Sequence, residues 1–248
     1  MRHHLSVLAL CIRLKLRALL LILLAAAALP AAAFSLLGFE RAWGSGCWPG
    51  ISVLWVIWAV AYLALMAVCI GPGEKRAKTG CLLQRLQISE RAILIWDALA
   101  AVLCFLLLYC TMILTVFGLA WLFRRSPGYA FGPQGVFLML ARSRLLHGLL
   151  PFGEPVVWTR NLLYVLCAGL CCAAAGSSRR NRNRPGAALF SLIFLAARAP
   201  VALGEGYMSI VWLLFVLVGT AIAFGSAMLA AHNGTRRLEE DEPETAAP

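Results

Sequence analysis

Six long apolar runs constrain this chain more than any other feature of its sequence. A helix of about 20 residues crosses the ~30 Å hydrocarbon core of a bilayer. The runs are 18–38, 51–71, 98–122, 156–176, 186–204 and 208–230. Only 13% of the residues are charged and 62% are hydrophobic, which leaves too little polar surface to cover a soluble globule. The sequence therefore predicts an all-α polytopic membrane helix bundle with about six transmembrane helices.

The net charge of +11 is distributed unevenly along the chain. Basic residues concentrate before the first run, between the second and third, between the fourth and fifth, and after the sixth. If the spans alternate, these four segments share one side, and the excess of positive charge predicts that this side and both termini are cytoplasmic. The charge is therefore a topology signal and does not indicate nucleic-acid binding. The exception is loop 124–155, which carries four arginines on the predicted outer side.

The N-terminus also has the features of a cleaved signal peptide. It has a basic start, an apolar run and the small residues Ala31, Ala32 and Ala33, which are typical of a cleavage site. The apolar run continues beyond them to full spanning length, which favours a retained first helix. Cleavage would leave five spans without changing the orientation of the later ones.

The nine cysteines do not form the pattern of a disulfide framework. Six fall inside apolar runs, two fall on the predicted cytoplasmic side, and only Cys47 is predicted outside. Cysteine in such positions acts as a small hydrophobic residue. The pair Cys167 and Cys171 has no histidine or acidic residue at ligand spacing, so the sequence predicts no metal site.

The segment between the second and third runs carries the most specific pattern. Gly71-Pro72-Gly73 ends the second helix. Leucines then recur at helical spacing, with glutamine and arginine on the other face, which predicts a short amphipathic helix over 79–91 at the membrane surface. Ser89 is a good N-cap and Glu90 favours the helix dipole, so a new helix is predicted to start there and run into the third span.

The run LQRLQISER at 83–91, followed at once by a long apolar helix, resembles the corresponding loop of type-2 ABC exporter permeases. The resemblance implies a coupling helix that docks on a separate P-loop ATPase subunit, and a homo- or heterodimer with a similar permease in the bacterial plasma membrane. ATP would bind to the partner, with no cofactor on this chain. The implied docking residues are Leu82, Leu83, Arg85, Leu86, Ser89, Glu90 and Arg91. The alternative is an ordinary basic loop that rests on lipid headgroups.

A second polar insertion separates the third and fourth runs. Residues 136–150 form an apolar stretch that carries two arginines and is too short to span, which predicts an interfacial helix on the outer face. It could serve as a gate or as a plain cover for the bundle. The charged residues nearest to lipid are Arg160, Arg198 and Asp97, which makes them candidates for a pathway or gate. Snorkelling of both arginines and headgroup depth for Asp97 are the simpler explanations.

Motifs for ATP binding, metalloprotease or serine hydrolase chemistry are absent from the sequence. We therefore expect no enzyme activity of its own and a membrane permease subunit over 1–235, with a short acidic disordered tail over 236–248. A non-transport scaffold or assembly factor that binds membrane lipids or a cytoplasmic partner is the alternative. An intramembrane enzyme is the third hypothesis.

Overall fold

The computed structural model describes residues 2–43, 53–71, 89–124, 149, 155–180, 188–189, 191–193, 195 and 207–240. Five helices account for most of them. They are α1 (Arg2–Trp43), α2 (Val53–Ile70), α3 (Glu90–Arg124), α4 (Pro155–Arg180) and α5 (Tyr207–Glu240). The described residues of the fifth predicted span, 188–189, 191–193 and 195, are also helical. All secondary structure in the described ranges is therefore helical, as the apolar runs predict.

Four of these helices are long and apolar enough to cross a bilayer. Their spanning segments are Leu8–Leu36, Glu90–Leu122, Pro155–Arg179 and Leu213–His232, and α2 contributes the shorter apolar segment Val56–Ile70. The chain is therefore a multi-pass membrane protein. Most of the fifth predicted span lies outside the described residues, as do segment 72–88 and the interfacial helix predicted over 136–150, apart from Leu149.

Helix α1 begins at Arg2, well before the first apolar run, so the basic N-terminal segment and the first span form one continuous helix. Residues 2–17 contain no glycine or proline, and leucine, arginine and alanine favour the helical state. At 1.5 Å per residue the 42 residues extend about 63 Å, roughly twice the hydrocarbon thickness. The helix must therefore project beyond the membrane or tilt strongly within it.

Helix α2 packs against α1 where a proline interrupts the hydrogen bonding of α1. Pro30 has no backbone N–H, so the carbonyl of Ala26, one turn earlier, loses its helical partner. The indole Nε1 of Trp58 donates a hydrogen bond to that carbonyl at 3.3 Å. Both Pro30 and Trp58 are buried. A backbone group that lipid cannot satisfy is therefore paired by the neighbouring helix.

Helix α4 is the most buried of the candidate spanning helices and contacts α2, α3 and α5. Its residues 171–175 are cysteine and alanine and are fully buried. A Cβ atom built on Gly169 would lie 2.4 Å from Cγ2 and 2.7 Å from the backbone N of Val102, so α4 and α3 cross at a distance that only glycine permits. Small residues thus fill the centre of the described helices, as is usual for helix packing in membranes.

Helix α5 packs on α4 and α3 and extends further than predicted. It continues to Glu240, so residues 236–240 are helical where the sequence predicts the start of a disordered tail. Arginine, leucine and glutamate, which make up residues 236–240, are all good helix formers. The remaining tail residues, 241–248, lie outside the described ranges.

Candidate functional site

A buried ion pair connects α1 to α3. The Lys15 Nζ lies 2.7 Å from Asp97 Oδ1, and the two side chains are only 10% and 9% exposed. Lys15 occupies the face of α1 that also buries Cys11, Leu19 and Ala26, at the four-residue and seven-residue spacings of one helix face. The ammonium therefore points into the bundle, where Asp97 on the third turn of α3 meets it.

The ends of α2 and α4 complete the surroundings of this pair. A Cβ on Gly176 would lie 3.8 Å from Asp97 Oδ2 and 3.1 Å from the carbonyl oxygen of Ile70. Gly176 thus leaves room for the carboxylate between α4 and the end of α2. We call this end of the bundle the basic end: it is where α1 and α3 begin and where α2 and α4 finish.

Three thiols lie around the Lys15–Asp97 pair, one from each of three helices. Cys69 and Cys104 lie beside the Lys15 ammonium and beside each other, and Cys172 Sγ approaches the Met66 carbonyl at 4.0 Å. None of the three is part of a disulfide. Within the described ranges, no group of three or more histidine, cysteine or acidic side chains has the arrangement of a metal site.

The ion pair at the centre of this cluster connects two helices. A buried carboxylate paired with an ammonium is charge-compensated, and each partner depends on the other because an uncompensated charge in the interior is costly. The pair therefore favours one relative position of α1 and α3. Any movement of α3 along its axis has to carry α1 with it or separate the two charges.

A second polar cluster lies further along α3 and α4. The Tyr109 hydroxyl donates a hydrogen bond to the Leu149 carbonyl at 2.8 Å, and Asn161 Nδ2 donates to the same hydroxyl at 3.3 Å. The Tyr109 ring also meets Trp158 edge-on, with centroids 6.4 Å apart. These contacts join α3, α4 and the segment that contains Leu149.

Arg160 lies next to this second cluster. It is only 8% exposed and lies near Tyr109, so its side chain is enclosed by the chain. The reason is its position on α4: Arg160 shares the buried face of that helix with Cys167 and Cys171, at seven-residue and four-residue spacing.

The other predicted site residues are described only in part. Ser89 is exposed directly before α3, and the N–H of Ile93 donates to its carbonyl at 3.2 Å. Helix α3 begins at Glu90, which confirms the predicted helix start. Glu90 and Arg91 are half-buried. Leu82, Leu83, Arg85, Leu86 and Arg198 lie outside the described residues.

Sequence reasoning named Asp97 but missed its partner, and it missed Tyr109 and Asn161. In the sequence, Lys15 resembles the other basic residues that determine topology. The acidic Asp97 was the clue to a partner, because an acidic residue in or near a span commonly pairs with a cation. Helical periodicity could have found it, because Lys15 lies on the opposite face of α1 from its basic neighbours. Tyr109 and Asn161 are uncharged, so no sequence signal separated them from the surrounding span.

Comparisons with known proteins identify no relative. No protein-family model matches the chain, and neither the curated proteins nor the solved structures gave a match.

Proposed function

We propose that this chain is the membrane-spanning permease subunit of an ATP-driven ABC-type exporter, energised by a separate ATPase subunit. One observation carries the proposal. Helix α3 begins at Glu90, within the coupling segment predicted over 79–91, and is joined to α1 by Lys15–Asp97 only two turns later. Seven residues of helix correspond to about 10 Å.

This arrangement supplies the mechanical connection that such a subunit needs. A push on segment 79–91 by a closing ATPase dimer would act on the first turn of α3, because the last two residues of that segment, Glu90 and Arg91, belong to this turn. The buried ion pair would pass that movement to α1, and the glycine-mediated crossing at Gly169 would pass it to α4. Rigid-body movement of packed helices is a standard form of such transitions.

The packing of the bundle bears on the route of the cargo. Residues 171–175 of α4 fill the centre of the described helices with fully buried small side chains. A passage through a single copy would have to displace them. The proposal therefore puts the route along the interface between two permease copies, where outward-facing apolar side chains of α1 or α5 would line it, and a hydrophobic or amphipathic cargo suits that lining.

Affinity purification tests this proposal. The tagged full-length protein is extracted gently from its native membrane and co-purifying proteins are identified by mass spectrometry. We expect a P-loop ATPase that is lost from Arg85→Glu and Arg91→Glu variants. The matched control is Arg179→Glu, a charge reversal at an exposed residue of the same end of the bundle, which should retain the ATPase. Retention by all three variants would rule out docking through segment 79–91.

A scaffold or assembly factor is the second candidate function. The same filled centre favours it, because tightly packed small residues and a charge-compensated ion pair suit a rigid support as well as a moving one. A well-folded preparation from the native membrane that brings down a partner other than an ATPase would favour this function.

A further inference from the structure

The three cations in one stretch of α1 point to opposite sides of the helix. At about 100° per residue, Arg13 and Arg17 lie about 40° apart around the axis, whereas Lys15 lies on the far side. The structure agrees: Lys15 is buried and bonded to Asp97, while Arg13 and Arg17 are exposed. Lys15 belongs to the bundle interior, and the two arginines belong to its outer surface.

The two exposed guanidinium groups have no ion pair or hydrogen bond to any residue in the described ranges. Directly above them, on the same side of α1, the helix presents Leu20, Leu21 and Leu24, which are 56%, 68% and 68% exposed. The surface of α1 therefore changes within two turns from a pair of exposed cations to a broad apolar strip. Cations followed along the helix by apolar side chains match the structure of an anionic lipid, in which a charged headgroup is followed by acyl chains.

We propose that Arg13 and Arg17 bind the phosphate of an anionic phospholipid whose acyl chains lie along Leu20, Leu21 and Leu24. Arginine binds phosphate oxygens through two parallel N–H donors, so two arginines one turn apart can hold one phosphate from both sides. The two arginines lie at the depth of the lipid headgroups, because the apolar run starts at residue 18, one position after Arg17. The proposal does not depend on a transport function or on an ATPase.

Native mass spectrometry of the full-length protein in neutral detergent tests the proposal, with dioleoyl phosphatidylglycerol as the probe and dioleoyl phosphatidylcholine as the neutral reference. Each arginine near an anionic headgroup is worth ~1 kcal/mol, so Arg13→Gln/Arg17→Gln should weaken the tightest phosphatidylglycerol binding about 30-fold, at 1.4 kcal/mol per tenfold. Phosphatidylcholine binding should not change. Millimolar inorganic phosphate should not displace the lipid, because it lacks the acyl chains.

Two further variants keep the test decisive. Arg236→Gln/Arg237→Gln removes the same charge from the other end of the chain and should bind phosphatidylglycerol as the native protein does. Arg13→Lys/Arg17→Lys keeps the charge and should bind with intermediate affinity, which separates loss of the site from misfolding. The proposal would be overturned if Arg236→Gln/Arg237→Gln weakened phosphatidylglycerol binding as much as Arg13→Gln/Arg17→Gln does. Unchanged phosphatidylglycerol affinity in Arg13→Gln/Arg17→Gln, or full displacement of the lipid by free phosphate, would also overturn it.

Discussion

Replacing Lys15 with methionine should destabilise the protein by about 3–5 kcal/mol, because it leaves the Asp97 carboxylate buried without its cation. The geometry sets the scale. At 2.7 Å and an effective dielectric constant of about 20, the two charges attract by ~6 kcal/mol, and desolvation of both groups offsets part of this. Asp97 has no other cationic partner in the described part of the chain.

The double variant distinguishes an ion pair from two independent residues. Asp97→Leu alone should cost a similar amount, because it leaves the Lys15 ammonium buried. Lys15→Met/Asp97→Leu should be nearly as stable as the native protein, since replacing a buried pair by apolar side chains is commonly neutral or stabilising. The double variant should therefore recover at least about 3 kcal/mol relative to the sum of the single variants.

Equilibrium unfolding in mixed micelles, followed by the fluorescence of the eight tryptophans, measures all four proteins. Arg17→Met is the control, because it removes a cation two residues away on the exposed side of α1 and should cost less than about 0.5 kcal/mol in neutral detergent. If each single variant lowered the free energy of unfolding by less than about 1 kcal/mol and the effects added in the double variant, Lys15 and Asp97 would not form a buried ion pair.

Two contacts between helices give further predictions. Gly169→Ala should cost about 1–3 kcal/mol, because its Cβ would meet the Val102 backbone. At Gly118 an added Cβ meets open space, so Gly118→Ala should leave the thermal midpoint in detergent unchanged or raise it. Equal thermal midpoints for Gly169→Ala and Gly118→Ala would show that α3 and α4 do not cross closely at Gly169. Trp58→Phe should cost about 1–3 kcal/mol by leaving the Ala26 carbonyl unsatisfied, and less in a Pro30→Ala background, where the restored N–H pairs that carbonyl. Equal costs in both backgrounds would contradict this account.

The helices could be predicted from the sequence because hydrophobic length is a local property. Four apolar runs correspond to helices that can span, and Ser89 marked the start of α3. Hydropathy alone sets the start of the first run at residue 18 and does not show that α1 extends back to Arg2. Helix formation there depends instead on the absence of glycine and proline.

The site could be predicted only in part, because its contacts join distant parts of the chain. Asp97 stood out as an acidic residue close to a span, but Lys15 is 82 residues away and resembled its exposed neighbours Arg13 and Arg17. Which of the three cations is buried depends on the rotation of α1 against α3. That rotation is set by packing, which a single sequence does not display.

The accessibility of two native cysteines tests whether an ATPase can reach this chain. The basic end, with segment 72–88, has to lie in the cytoplasm, since an ATPase can reach it only there. Variants that retain only Cys81 or only Cys47 are treated in intact cells with a membrane-impermeant maleimide. We predict that Cys47 is labelled in intact cells and that Cys81 is labelled only after the membrane is opened. Labelling of Cys81 from outside would contradict the orientation and, with it, the proposed coupling to an ATPase.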